Sequence, residues 1–479
     1  MKFLRFTFLL LLGVVFITSC KTEKKEIKKV EKEVEAYAKS EINELWCKAE
    51  SSWFTIDSNT GKRKTPPPAE DKSSVFGNNK TVSNCDFHQW SWQKFLWLTN
   101  YIDGKPLFIK ELTQVTNQNV PVTQPSGEYK IILTSHDNVQ ATGDILKSNK
   151  TFSKDNKSYD VYYSIHVNDT LYNNIEKYAK MEATKYTDTT FPVGSLELKV
   201  AWVDAKAISD TSSYFVTDAV INGEDTQIAL LGMHVVGVVY NHPEFIWATF
   251  EHDDLVPYYD WKATTNADIP VTSSTNKLFF DKNATGTIDN LASHYNDPSK
   301  DNPNVFAVNK YGVPRQAQNA FLATSQDGKT NYDNIDKINE SVKSQLKDIW
   351  VNYFYNGSIW IDTEGYTYPT EQAKLLNTLG GDLSNSAPGK LTRGSVAAYN
   401  ITMETYEQLG FNPPKSIHEQ SVATMGNCFS CHSSNGKNGS PLNVSHIFNG
   451  AVSREKGHTR KETKQKHLNE VLSIVKKMK

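Results

Sequence analysis

IALLGMHVVGVVYNHPEFIWATFEH (228–252) is the stretch whose reading decides the fold. Its first thirteen residues are nearly continuous apolar text rich in valine and leucine, which describes a strand covered on both faces. NHPE (241–244) supplies turn residues, and FIWATFEH (245–252) resumes as a second strand. With NHPE as a hairpin loop, Tyr240 pairs with Phe245, Val238 with Trp247, Val236 with Thr249 and His234 with Glu251. An imidazole then stands opposite a carboxylate on one face of the sheet. Such a buried pair perturbs both pKa values, so His234 and Glu251 are the candidate catalytic residues of this region. Glu197 and Lys199, alternate positions of SLELKVAWV (195–203), can extend the site. A hydrogen-bonded structural histidine with solvated neighbours explains the same residues without function. His252 and Asp253 could bind a metal, but no ligand spacing accompanies them.

Outward from this hairpin, residues 105–330 hold similar short runs: YKIILTS (129–135), YDVYYSIHV (159–167) and SLELKVAWV, separated by Asn, Asp, Gly and Pro clusters. They predict an antiparallel β-rich body. CDFHQWSWQKFLWLT (85–99) is aromatic on every side, as a buried helix is, with Asp86 as its N-cap. TPPPAEDKSSVFGNNKTVSN (65–84) is loop text. SVKSQLKDIWVNYFYN (341–356) reads as a helix and SIWID (358–362) as a further strand. LGGDLSNSAPGKLTRGS (379–395) marks a boundary. A helical stretch around AAYNITMETYEQ and a last helix HLNEVLSIVKKM follow it. The expected class is α+β, with a β-rich body over 46–390 and a small, mainly helical segment over 391–479.

The N-terminus carries an address. Lys2 and Arg5 precede FTFLLLLGVVFIT (6–18), an apolar run that fits a signal peptide and is too short to span a bilayer as a helix. It ends in Ile17-Thr18-Ser19-Cys20, which resembles a bacterial lipobox. The resemblance implies that 1–19 is a signal peptide, that Cys20 is lipidated, and that the product is anchored in the cell envelope facing the periplasm. Lys21, in place of an aspartate, implies the outer membrane. Residues 20–45, rich in lysine and glutamate, read as a charged tether.

The chain has 479 residues and a formal net charge of −2, which argues against general nucleic-acid binding. Of five cysteines, Cys47 and Cys85 stand apart from any motif. In an exported protein they are expected to form a disulfide, with two buried thiols as the alternative.

The remaining two lie in MGNCFSCHSS (425–434), where Cys428, Cys431 and His432 spell C-x-x-C-H, the attachment signature of a c-type haem. Two thiols on one helical turn can meet the two vinyl groups of the porphyrin, and the adjoining imidazole can reach the iron. A structural zinc would need two more ligands at matching spacing, and none is present in the sequence. A thioredoxin-like site would open an apolar helix, whereas Ser433-Ser434-Asn435-Gly436-Lys437 is loop text.

This segment resembles the c-type cytochromes, and the resemblance implies one covalent haem, with Cys428 and Cys431 as attachment sites and His432 as proximal ligand. The whole chain is similar to exported proteins that end in one such cassette, through FHQWSWQKFLWL, WATFEH, ITMETYEQ and NVSHIF. It departs from the common small cytochrome pattern, because only 47 residues follow His432 and their sole methionine is Met478. Met425 belongs to the proximal turn. His446, beyond a polar loop and flanked by Val444, Ile447 and Phe448, is the expected second iron ligand, with Met403 as the alternative and an open iron third.

The expected function is one-electron transfer with a redox partner protein of the cell envelope. Residues 454–479, with nine Lys/Arg against three Glu, could attract an acidic partner or simply form a solvated face. Two other readings remain. One is a redox enzyme, acting through an open iron position or through a β body that passes electrons to the haem. The other is a non-catalytic envelope binding protein in which haem is structural.

Overall fold

A computed structural model describes residues 47–122, 129–134, 146–181, 188–258, 270–284, 286–287, 304–307, 310–312, 328–378, 391–395, 398–405, 427–432, 440–459 and 462. The signal segment 1–19, Cys20, the tether, Met425, most of the basic tail and the last expected helix with Met478 lie outside the described residues.

The β-rich expectation holds: the fold is α+β, organised on a nine-stranded sheet. Its strands are β1 (Thr113–Val115), β2 (Ile131–Leu133), β3 (Val161–Val167), β4 (Leu196–Asp204), β5 (Val216–Ile221), β6 (Glu224–Val239), β7 (His242–His252), β8 (Tyr353–Ile361) and β9 (Thr392–Gly394). The order β9-β8-β7-β6-β4-β3-β1 is antiparallel throughout. β5 pairs antiparallel with the N-terminal part of β6 and parallel with β2.

Side-chain alternation divides the core. Leu196, Leu198, Val200 and Trp202 of β4 and Ile246, Ala248 and Phe250 of β7 point to one face. Helices α1 (Asn84–Leu98) and α3 (Gly328–Gln345) cover that face, the latter through Tyr332, Ile335, Ile338 and Val342 at helical spacing. Fully buried Trp92 and Phe95 of α1 each contribute roughly 1.5–3 kcal/mol by area, as an upper bound. The opposite face carries two apolar clusters. One gathers Tyr163, Ala201, Val203, Leu231 and Met403. The other joins Val236, Val238, Trp247 and Ile359 to helix α2 (Asp169–Ala179) and to helix α5 (His446–Glu455). A further helix, α4 (Thr370–Thr378), adds Leu375 and Leu376.

The hairpin departs from its expected register. The turn is Tyr240–Asn241, with Asn241 at φ 64, a left-handed conformation that asparagine tolerates. His242 and Glu244 therefore belong to β7, buried and joined Nδ1 to Oε1 at 2.9 Å. A register shift follows between Gly237 and Val239, so Val236 faces Trp247, His234 faces Thr249 and Glu251 faces Gly232. His234 and Glu251 are not cross-strand partners. The displacement is two residues, however, and a period of two keeps both on one face.

Three other expectations change in detail. Ser83, and not Asp86, caps α1. Asp86 is the third helical residue, and its Oδ2 accepts from the Ser83 N–H at 2.6 Å. The segment 341–356 divides: α3 ends at Gln345, and the aromatic run from Tyr353 is strand β8, buried along its length. Residues 398–405 form a turn instead of a helix. The Asn400 side chain accepts from the N–H and hydroxyl of Thr402, and the Thr405 hydroxyl bonds back to the Ile401 carbonyl.

Cys47 and Cys85 are joined as a disulfide, tying the start of the described chain to α1. From Cys47 onward the residues form one unit, to which the chain after 391 contributes β9, the C-x-x-C-H turn and α5.

Candidate functional site

Between the two apolar clusters of the second face the sheet presents polar rungs. Lys199, His234 and Thr249 stand side by side, flanked by Ile165 and Gly357. One rung above run Val167, Glu197, Val236, Trp247 and Ile359. One rung below, Ala201, Gly232 and Glu251 are neighbours.

The Asn400–Thr405 turn sits directly on Gly232. A Cβ there would lie 2.8 Å from Thr402 Oγ1 and 2.9 Å from the Asn400 amide, so the close approach requires glycine. The turn delivers Glu404, whose Oε1 is 2.9 Å from His234 Nε2. Burial raises the Glu404 carboxyl, but His234 and Lys199 outweigh it and hold the group below its usual value. Glu251 has different partners. It accepts from the Ile401 N–H and the Tyr258 hydroxyl, each at 2.9 Å, and burial pushes it up to about 8. His234 and Glu251 thus occupy the same face with separate partners. Glu197 is pushed up to about 7 by burial and accepts from the Ser445 hydroxyl at 3.2 Å.

The C-x-x-C-H segment lies against the upper cluster. Cys428–Cys431 form one helical turn, started by Asn427 Oδ1 accepting from the Phe429 N–H at 2.9 Å. The turn continues to His432, whose N–H donates to the Cys428 carbonyl at 2.8 Å. Both cysteines remain thiols. Burial, then Glu404 and Cys431, push the Cys428 thiol well above its ordinary value.

His432 is oriented from two directions. Its Nδ1 lies 2.9 Å from the Val444 carbonyl, and the Trp247 ring packs 4.0 Å away, centre to centre. A carbonyl only accepts, so Nδ1 carries the proton and Nε2 is the basic nitrogen, the tautomer a metal-binding imidazole needs. The donor set therefore fits a covalently attached haem: two thiols on one turn and a histidine in the ligating tautomer.

His446 has a different relation to that group. Its ring stacks on His432, with centres 3.8 Å apart, and its Nε2 donates to the Cys431 carbonyl at 3.1 Å. Burial pushes it down to about 4, so it is neutral. A porphyrin cannot pass between rings this close, so ligation from the opposite side requires His446 to give up this bond and move. Met403 is fully buried in the lower apolar cluster.

No family model, curated protein or solved structure matches this chain.

Among the described residues, no three His, Cys, Asp or Glu side chains gather to hold a metal ion by themselves, and no helix is long and apolar enough to cross a membrane. His252 and Asp253 do not cooperate. His252 donates to the Ser213 carbonyl and stacks on Tyr214, while Asp253 pairs with Lys343 at 2.6 Å.

Four participants were not legible beforehand: Glu404, Trp247, Ser445 and the Val444 carbonyl. Ser445 left a local signal, as a helix-capping residue before HIF.

Proposed function

We propose that this chain is a c-type haem protein of the cell envelope, anchored through a lipid on Cys20 and facing the periplasm at the outer membrane, that passes single electrons to or from a partner protein. One observation supports it most: the C-x-x-C-H turn presents two thiols on one helical turn, with His432 Nδ1 held by the Val444 carbonyl. Cys428 and Cys431 would form the thioethers, and His432 would bind through Nε2. The bound haem would supply one-electron oxidation and reduction. Trp247 packs on the His432 ring and Phe429 on Trp247, and Val444, Ile447 and Phe448 are buried beside them.

A second reading, a redox enzyme, is favoured by the His234–Glu404 pair. Both side chains keep some exposure, 17% and 18%, so a small substrate could exchange a proton with His234 while Glu404 orients the ring. Reduced-minus-oxidised and CO-difference spectra separate the two readings. A six-coordinate spectrum unchanged by CO supports electron transfer, and a CO-binding iron supports the enzyme. His446→Ala then reports on the second ligand. Conversion to a high-spin, CO-binding form assigns it to His446, and an unchanged low-spin spectrum moves the assignment to Met403.

A further inference from the structure

The sheet holds the proximal histidine through one rung, and that contact explains what the β body does for the haem segment. Trp247 and Glu197 stand in the same rung, with Val236 between them. Trp247 packs its indole against the His432 ring. Glu197 works at one remove: its Oε2 accepts from the hydroxyl of Ser445 at 3.2 Å. Ser445 is the N-cap of α5, its Oγ accepting from the Phe448 N–H and its own N–H donating to the Leu442 carbonyl. The residue just before that cap is Val444, whose carbonyl receives His432 Nδ1–H. The carboxylate thus fixes the cap, the cap fixes the carbonyl, and the carbonyl fixes the imidazole.

We propose that Glu197 and Trp247 are positioning residues that set the ring orientation and basicity of His432, and through them the reduction potential of the haem. This inference rests on the haem reading. A firm Nδ1–H···O bond makes an imidazole a stronger donor, which favours the oxidised metal and lowers the potential. Loosening the Val444 carbonyl weakens that bond and raises the potential. Losing the indole frees the ring to rotate and spreads its orientations.

The experiment is potentiometric titration and EPR of the purified holoprotein, with thermal melts run alongside. Glu197→Ala is expected to raise the midpoint potential and Ser445→Ala to raise it equally. The double variant should shift no further than either one, since both cut the same chain of contacts. Glu197→Gln keeps an acceptor for the Ser445 hydroxyl and is expected to restore the wild-type value. Trp247→Leu should broaden the EPR lines, and Trp247→Phe should broaden them less. A Glu197→Ala protein that folds but matures without haem, beside a normal Glu197→Gln, also supports the proposal. Unchanged potentials in Glu197→Ala and Ser445→Ala holoproteins overturn it and leave the haem reading intact. Should Glu197→Ala fail to fold, Ser445→Ala decides alone. A wild-type protein that never acquires covalent haem overturns both.

Discussion

The Val444 carbonyl lies 2.9 Å from His432 Nδ1, across twelve residues of chain. A single hydrogen bond thereby selects which imidazole nitrogen is basic, before any ligand arrives. In the holoprotein, His432→Ala should keep the thioether-linked chromophore, because Cys428 and Cys431 remain, but lose the axial imidazole. The check is optical: the variant becomes high-spin and binds CO on the vacated side. His432→Met, if it ligates, should raise the reduction potential.

Glu404 and His234 should be energetically coupled. The pair is 2.9 Å apart and mostly buried, so a double-mutant cycle with His234→Ala and Glu404→Ala is expected to give roughly 1–2 kcal/mol of interaction. Urea unfolding of the four proteins measures it. Additive effects within experimental error would show that the two side chains act independently.

Stability should peak near pH 6.5. Burial pushes His88 and His166 down to about 3 and His252 and His446 to about 4, against an ordinary 6.5. Their contribution is complete above 6.5 and is lost as pH falls, since the unfolded chain takes up protons that the folded one refuses. Glu197 and Glu251 act in the other direction. Raised from 4.5 to about 7 and about 8, they contribute fully below 4.5 and lose that contribution as pH rises through those values. Four histidines outweigh two carboxyls between 4.5 and 6.5, and the carboxyls dominate from 6.5 to 8. Each differential proton changes stability by about 1.4 kcal/mol per pH unit. Glu251→Gln should flatten the alkaline decline seen in melts at stepped pH.

Gly450 is where α5 meets the body. A Cβ there would lie 1.8 Å from the Asn117 carbonyl oxygen and 3.2 Å from the Gln118 Cα, both backbone atoms that cannot rotate away. Arg454 ties the same helix to the Gln118 carbonyl and to Glu176. Gly450→Ala should therefore lower stability by more than about 2 kcal/mol, read as a fall in Tm. A neutral substitution would show that α5 is free to shift.

Local signals carried much of this reading, and contacts between distant segments carried the rest. The β-rich body is legible in the short β-branched runs over 105–330 and the turn residues between them. The register differs because NHPE reads as a loop, whereas His242 Nδ1 and Glu244 Oε1 meet at 2.9 Å as a buried pair inside β7. WVNYFYN reads as a continuation of the preceding helix because its aromatic spacing does not announce where the period changes. The C-x-x-C-H was legible because its three residues are contiguous. Glu404, Trp247 and the Val444 carbonyl were not, because the sheet brings them together from separate parts of the chain. His446 was expected to face His432 across a porphyrin, and here it stacks on His432 and binds the Cys431 carbonyl.

Covalency of the haem is the most direct test of the account. The protein should be exported in a host equipped for c-type haem attachment, then denatured and extracted with acidified acetone. The account predicts that one haem per chain stays with the polypeptide, visible as a haemochrome and as an intact mass increased by one haem, and that Cys428→Ala/Cys431→Ala loses both signals. A mature protein whose Cys428 and Cys431 can both be alkylated, or whose haem passes entirely into the acetone, would contradict it.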